Sequence, residues 1–305
     1  MRASLPVLIA VLLWASAFAC SKLAVGEVPH EVAALLRFGG GALVLLVVLR
    51  LLAPREDPVP RRRLGAIAVL GVLGVFLYNL LLFGGLTLAP SVDGSVIVPV
   101  LSPVITAAAT AVLERRWPSR SRLVGLLLAV AGAAVFLAGA AGGPASGSRL
   151  LGDLSFVLAA GVWAAYTIRG KAVLALVSPL RVTTYATVAG ALLLGLVAVP
   201  ALLRTDWTGL GAGFWLNQVY LAVLPTALAN PLFYYGVRRI GPVRATTLMF
   251  VVPGAGLLWS ALLLGESINA LQLAGTLVML AGAWLALGLR PLPRRFLPPV
   301  RSALR

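Results

Sequence analysis

Acid is scarce in this sequence. Nine Asp and Glu residues stand against 25 Lys and Arg in a chain of 305, with one histidine and one cysteine. The single Cys20 excludes a disulfide within the chain and any thiol-rich metal site. Charged residues of all kinds make up only 11%, apolar residues 60%, and the mean hydropathy of +1.01 lies far outside the range of a soluble globular domain. These values describe an integral membrane protein. No soluble composition returns between the apolar runs, so the whole chain reads as one membrane body. The first run starts almost at Met1 and continues to about Val25 with no small-residue cleavage site after it, which fits a retained helix better than a removed leader.

A helix crossing roughly 30 Å of hydrocarbon needs about 20 apolar residues. Cutting the chain at its charged and Pro/Gly-rich breaks gives ten such segments, near 4–25, 31–52, 64–87, 91–113, 122–141, 150–170, 179–202, 213–236, 242–264 and 268–289. The net charge of +16 raises the question of a nucleic-acid partner, but the placement of the charge answers it. With Arg2 on the cytoplasmic side, "PRRR" at 60–63, Arg115, Arg116, Arg120, Arg122, Arg169, Lys171, Arg181, Arg238, Arg239, Arg244 and the tail "RPLPRRFLPPVRSALR" all fall on that side. The other side holds only Lys22, Arg149 and Arg204 beside most of the acids. Positive-inside asymmetry therefore predicts both termini in the cytoplasm of a bacterial inner-membrane protein, bound to no nucleic acid. The basic tail reads as a solvated stop-transfer tail, with contact to anionic lipid as the alternative.

A repeat runs through the chain at a spacing of about 150 residues. Trp14 and Lys22 in "WASAFACSK" match Trp163 and Lys171 in "WAAYTIRGK", both pairs eight apart. Asn79 and Pro90 answer to Asn230 and Pro242, and Pro103, Gly125 and Gly132 answer to Pro253, Gly275 and Gly282. The spacing divides the chain into residues 1–145 and 146–305, each with five spans. Five is odd, so the second unit must cross the membrane in the opposite sense to the first. The expected fold is all-α, ten transmembrane helices as two inverted five-helix repeats around a central cavity, an arrangement that suits alternating access.

"LLWASAF" and "GVWAAYT", "RFGGGALVLL", "SPVITAAATAVLERR" with "LVGLLLAVAGAAVFL", and "VVPGAGLLWSALLLGES" with "LQLAGTLVMLAGAWLAL" together resemble the drug/metabolite transporter superfamily, specifically its EamA-type ten-helix exporters. The resemblance covers nearly the whole chain. It implies a carrier that exports small organic solutes. The superfamily's members export amino acids, metabolites and toxic cations, and elsewhere carry nucleotide-sugars.

In lipid, polar groups and helix breakers persist only where protein or water satisfies them, so they mark the interior. Trp14 and Phe18 share one helical face at i, i+4, and Trp163 and Tyr166 another at i, i+3. With Tyr78, Asn79, Ser102, Asn230 and Tyr234 they are the expected cavity lining. Pro99, Pro103 and Pro253 remove backbone donors at depth and are the expected helix breaks or gates. The glycines of "RFGGGA" and Gly132, Gly139, Gly275 and Gly282 read as close helix contacts. Arg37 is the one deep cation, about 9 Å inside the outer end of the second span at 1.5 Å per residue. It must snorkel outward, pair with Glu31 or Asp93 at the rim, or face a wet cavity. In the last case its fork of donors would attract a carboxylate.

No Asp, Glu or His stands mid-span, and the first helix lacks the glutamate with which small multidrug members of the superfamily exchange protons for cations. Passive or gradient-driven movement is the expectation. An intramembrane enzyme would need an activated nucleophile or a metal cluster at depth, and a selective channel a filter loop or ring of charge; the sequence offers neither. The function read from the sequence is export of small organic solutes, amino acids first, by a monomer without cofactor or metal. Efflux of lipophilic drugs or toxic cations is the alternative.

Overall fold

The computed structural model describes residues 4–52, 59–115, 117–140, 147–264 and 269–287. Ten helices among them are long and apolar enough to cross a membrane: α1 (Leu5–Glu27), α2 (His30–Leu52), α3 (Arg61–Leu88), α4 (Ser91–Glu114), α5 (Arg120–Gly139), α6 (Gly147–Leu174), α7 (Pro179–Leu202), α8 (Ala212–Ile240), α9 (Pro242–Leu263) and α10 (Ala270–Leu287). No strand occurs among the described residues. The chain is thus a multi-pass membrane protein. Several helices outrun the expected apolar runs, α3 beginning at Arg61 and α6 at Gly147. The helix keeps its backbone bonds satisfied beyond the hydrocarbon edge, while arginines there reach into water. The basic tail from Arg290, and Glu266, lie outside the described residues.

Turn chemistry sets the ends. α1 stops because Val28 leaves the helical region and Pro29 follows it. α3 and α4 are separated by Pro90, at φ −59° and ψ 149°. Between α8 and α9, Gly241 adopts φ 82°, a left-handed conformation that a Cβ would strain, and Pro242 then starts α9 with its φ already set for a helix.

Three spans are not uniform α-helix. α3 carries a π segment at Val72–Leu77, α8 another at Ala222–Leu228, and α9 a 3₁₀ turn at Leu248–Val251 directly before Pro253. The first two were not anticipated from sequence. By contrast, α4 runs without interruption through Pro99 and Pro103, so those prolines do not break it. Pro253 does sit at a change of helix type, as expected of a residue without an N–H.

Neighbours follow a reciprocal pattern. α6 packs on α3 and α4, α1 on α8 and α9, α7 on α3, and α2 on α8, while α2 meets α7 and α5 meets α10. With lipid offering no hydrophobic drive between helices, small residues decide how close backbones come. At the α5–α10 seam, a Cβ at Gly125 would sit 2.6 Å from the Gly282 carbonyl oxygen, and one at Gly132 would sit 2.8 Å from that of Gly275. Rising numbers on α5 meet falling numbers on α10, so the two helices run antiparallel.

That seam yields a test. Gly132→Ala should destabilise the protein by about 1–3 kcal/mol, because backbone rather than a flexible side chain would have to give way. Gly161→Ala, where nothing lies within 4 Å of an added Cβ, should be neutral or gain up to about 1 kcal/mol of helix propensity. Thermal unfolding in detergent separates the two, and equal shifts would contradict this packing.

Candidate functional site

A connected set of aromatic rings forms the middle of the molecule. Trp14 on α1 meets Trp163 on α6 edge to face at 5.1 Å between ring centroids and 89° between planes. Phe233 on α8 lies 5.0 Å from Trp14 and 5.5 Å from Trp163. Tyr78 on α3 and Tyr166 on α6 flank Trp163 at 5.0 and 5.1 Å, and Tyr166 stacks on Tyr234 at 4.8 Å. Such edge-to-face and offset contacts place ring edges, which are positive, against negative ring faces.

Beside this cluster lies a narrow cavity of about 40 Å³. Its wall includes Trp14, Phe18, Arg37, Tyr78, Trp163, Tyr166 and Asn230 of the residues expected from sequence, together with Ser21, Phe38, Leu82, Leu86 and Met249. Apolar and aromatic surface dominates, and no acidic residue contributes to it.

Arg37 supplies the charge. The residue is 6% exposed; its Nε donates to Thr226 Oγ1 and its Nη1 to Ser21 Oγ, both at 3.2 Å. The guanidinium carbon lies 4.9 Å from the centre of the Phe38 ring. Neither candidate rim partner reaches it, because Glu31 is 3.3 Å from His30 and Asp93 is held bidentately by Arg149 at 2.8 and 3.0 Å. Among the described residues no carboxylate pairs with Arg37. The guanidinium does not snorkel; it stands in the cavity wall.

Thr226 belongs to the π segment of α8, and its hydroxyl donates in turn to the Leu221 carbonyl at 2.9 Å. The Pro225 carbonyl next to it accepts the Trp14 indole N–H at 2.9 Å. A π turn shifts the backbone register by one residue and turns carbonyls toward neighbouring helices, as happens often at functional sites. Gly74 and Val75 of the α3 segment reach the cavity from the other side.

Three expected lining residues lie elsewhere. Asn79 is fully buried and donates Nδ2 to the Val75 carbonyl one turn back at 2.7 Å, so its own helix takes up the amide N–H, while Oδ1 has no partner among the described residues. Ser102 is fully buried too, bonded to the Val98 carbonyl at 2.7 Å and reaching the Ala160 carbonyl at 3.4 Å, a link between α4 and α6. Tyr234 lies behind Tyr166, its hydroxyl donating to the Tyr166 carbonyl at 3.3 Å. Pro99, Pro103 and Pro253 are likewise absent from the cavity wall. Sequence reasoning overlooked Thr226, Ser21 and Phe233. "LPTALANP" did carry a signal for the first: a proline followed by a hydroxyl inside an apolar run.

Different contacts stand toward the two ends of the cavity. On the face away from the basic loops, Lys22 Nζ donates to the Leu86 carbonyl at 2.6 Å and the Ala89 carbonyl at 3.2 Å, tying α1 to the end of α3, and Arg149–Asp93 ties α6 to α4. On the basic face the Tyr166–Tyr234 stack fills the space against Gly170, where an added Cβ would meet the Tyr234 hydroxyl at 2.5 Å.

A model of the EamA-like transporter family matches the chain twice, over residues 1–138 and 150–288. The chain belongs to the EamA-like transporter family. Among similar proteins, an uncharacterized transporter of Bacillus subtilis strain 168, YyaM, is 25% identical over 278 residues, covering 91% of this chain and 90% of that protein. A probable terminal-alkyne amino-acid exporter of Streptantibioticus cattleyicolor is 30% identical over 287 residues, covering 93% of each. A solved crystal structure shares the fold at a TM-score of 0.74 and 23% identity, covering 95% of this chain and 99% of its own.

The geometry predicts that the fold does not depend on the Arg37 charge. Arg37→Met leaves Thr226 Oγ1 still bonded to Leu221, so stability should stay level or rise. Thr226→Val leaves the buried guanidinium short of an acceptor and should cost about 1–3 kcal/mol. In the double variant the Thr226→Val penalty should vanish. Melting of the purified variants in detergent measures all three.

Proposed function

We propose that this EamA-family transporter is an alternating-access exporter of small organic acids that carry an apolar body, foremost amino acids with apolar or aromatic side chains. The observation that carries the proposal is Arg37: a buried cation in the wall of a central aromatic cavity, with no carboxylate partner among the described residues. A free carboxylate is the natural counter-charge for its planar fork. The surrounding rings and Leu82, Leu86 and Met249 suit an apolar body, and the Asn230 amide and Tyr78 hydroxyl offer acceptors for an ammonium group. The likeness to a probable amino-acid exporter supports the same substrate class.

Alternation needs two equivalent halves. We infer that residues 1–145 and 146–305 are inverted repeats. The double family match supports this, and so does the crossed pairing of Gly125 with Gly282 and Gly132 with Gly275, in which each glycine meets the counterpart of the other. The arginine-rich loops support a basic face that, with both termini, lies in the cytoplasm of a bacterial inner membrane. Movement is passive or gradient-driven, by a monomer. Efflux of cationic toxicants is the competing reading. The aromatic wall favours it through cation–π attraction, and Arg37 opposes it.

Counterflow in proteoliposomes tests the proposal. Labelled leucine or phenylalanine should exchange and saturate, leucinamide should not, and Arg37→Ala should cut exchange of the acids by about 10- to 100-fold, the scale of a lost charge-assisted hydrogen bond or two. Arg37→Lys should retain part of it. Exchange of a quaternary amine but of no amino acid would replace this substrate class with the rival.

A further inference from the structure

The indole N–H of Trp163 is buried and has no partner among the described residues, at a place where its counterpart has one. Trp14 Nε1 donates to the Pro225 carbonyl of the α8 π segment. Contacts, and not sequence alone, identify which atoms correspond. A Cβ at Gly41 would lie 3.0 Å from Thr226 Cβ and 3.3 Å from the Ala222 carbonyl oxygen. One at Gly190 would meet Val75 Cβ and lie 2.6 Å from the Gly71 carbonyl oxygen in the same way. Gly190 follows Gly41 by 149 residues, as Trp163 follows Trp14; Thr226 follows Val75 by 151, as Pro225 follows Gly74. The carbonyl that would receive Trp163 is therefore that of Gly74, in the π segment of α3.

Tyr166 occupies that approach. A Cβ at Gly74 would run into the Tyr166 ring, whereas the residue of α1 corresponding to Tyr166 is Ala17, which has no ring to interpose. One indole is docked and the other is held off, although both line the cavity and touch edge to face.

We propose that the two tryptophans exchange these bonds during transport: Trp14 is docked on Pro225 in the described state, and Trp163 docks on Gly74 in the alternate one as Trp14 lets go. The proposal rests on the carrier reading above. It supplies that reading with a bistable element, since each state leaves one buried donor unpaired and neither is favoured by hydrogen bonding alone. Because the rings meet at 5.1 Å, neither can travel without disturbing the other. A solute lying against them acts on the exchange directly, so it can shift the balance by touching one state better than the other.

The described state is closed toward the basic face. Leu86 in the cavity wall is two residues from the end of α3, about 3 Å, while Asn230 is ten residues from the basic-face end of α8, about 15 Å. Val237 lies within that thicker seal and is 1% exposed. In a Cys20→Ser background, Val237→Cys then reports opening of the basic face through its rate of alkylation by a small maleimide. Trp14→Phe removes the bond of the described state and should raise that rate about fivefold; Trp163→Phe removes the bond of the alternate state and should lower it about fivefold. Benzothienylalanine at either position deletes only the N–H while keeping ring volume, and should reproduce both signs if phenylalanine proves too small to fold well. Shifts of the same sign at both positions, with counterflow intact, overturn the exchange alone. A cysteine that stays unreactive in every variant, with no counterflow in the parent protein, overturns the carrier reading and the exchange with it.

Discussion

A guanidinium buried in a membrane body with no carboxylate partner among the described residues is the constraint around which the rest is arranged. An arginine this far inside a span is expensive wherever it meets hydrocarbon, so the protein must surround Arg37 with hydroxyls and open space. Ser21 and Thr226 provide the hydroxyls, and neither carries charge. Hydroxyls lower the cost of burial without neutralising the cation, so its field still reaches into the cavity. A carboxylate in their place would stabilise the side chain and silence it. The absence of acid from the cavity wall is in this sense a property of the site as much as Arg37 itself.

Holding such a site requires backbone that is not ordinary helix. Thr226 and Pro225 can turn toward α1 and α2 because the π segment of α8 moves them out of α-helical register, and Gly41 lets α2 approach close enough for Arg37 to meet Thr226. Irregular backbone at membrane depth survives only where protein or a cavity surrounds it. Both π segments obey this, α3 packing on α6 and α7 and α8 on α1 and α2.

The spans were legible because bilayer thickness imposes a length, and proline and glycine mark the turns: Pro29, Pro90 and Gly241–Pro242 each sit where the chain reverses. The aromatic lining was legible from spacing, since Trp14 with Phe18 and Trp163 with Tyr166 share helical faces. Asn79 and Ser102 misled for a common reason. A polar side chain at depth needs a partner, but the carbonyl one turn back on its own helix can be that partner, as Val75 is for Asn79 and Val98 for Ser102. The π segments left no trace in the pattern, because a one-residue shift of register within a uniformly apolar run changes no periodicity. Pro99 and Pro103 overstated themselves; a helix packed on its neighbours tolerates a missing donor without breaking.

The two halves share a frame but not its contents. Glycines at the α5–α10 seam and at the α2–α8 and α7–α3 contacts match across the repeat. The functional side chains do not: Arg37 corresponds to Ala186, Tyr166 to Ala17, and Tyr78 to Ala229. A symmetric frame keeps two conformations close in energy, since every contact broken in one half has an equivalent to be made in the other. An asymmetric lining breaks that tie where a solute sits. On the proposed reading, one cation on one half means that a bound carboxylate pulls on α2 and not on α7, and one tyrosine wedge means that only one tryptophan is docked at a time. In that reading matched glycines ease alternation, and unmatched residues give the solute a way to bias it.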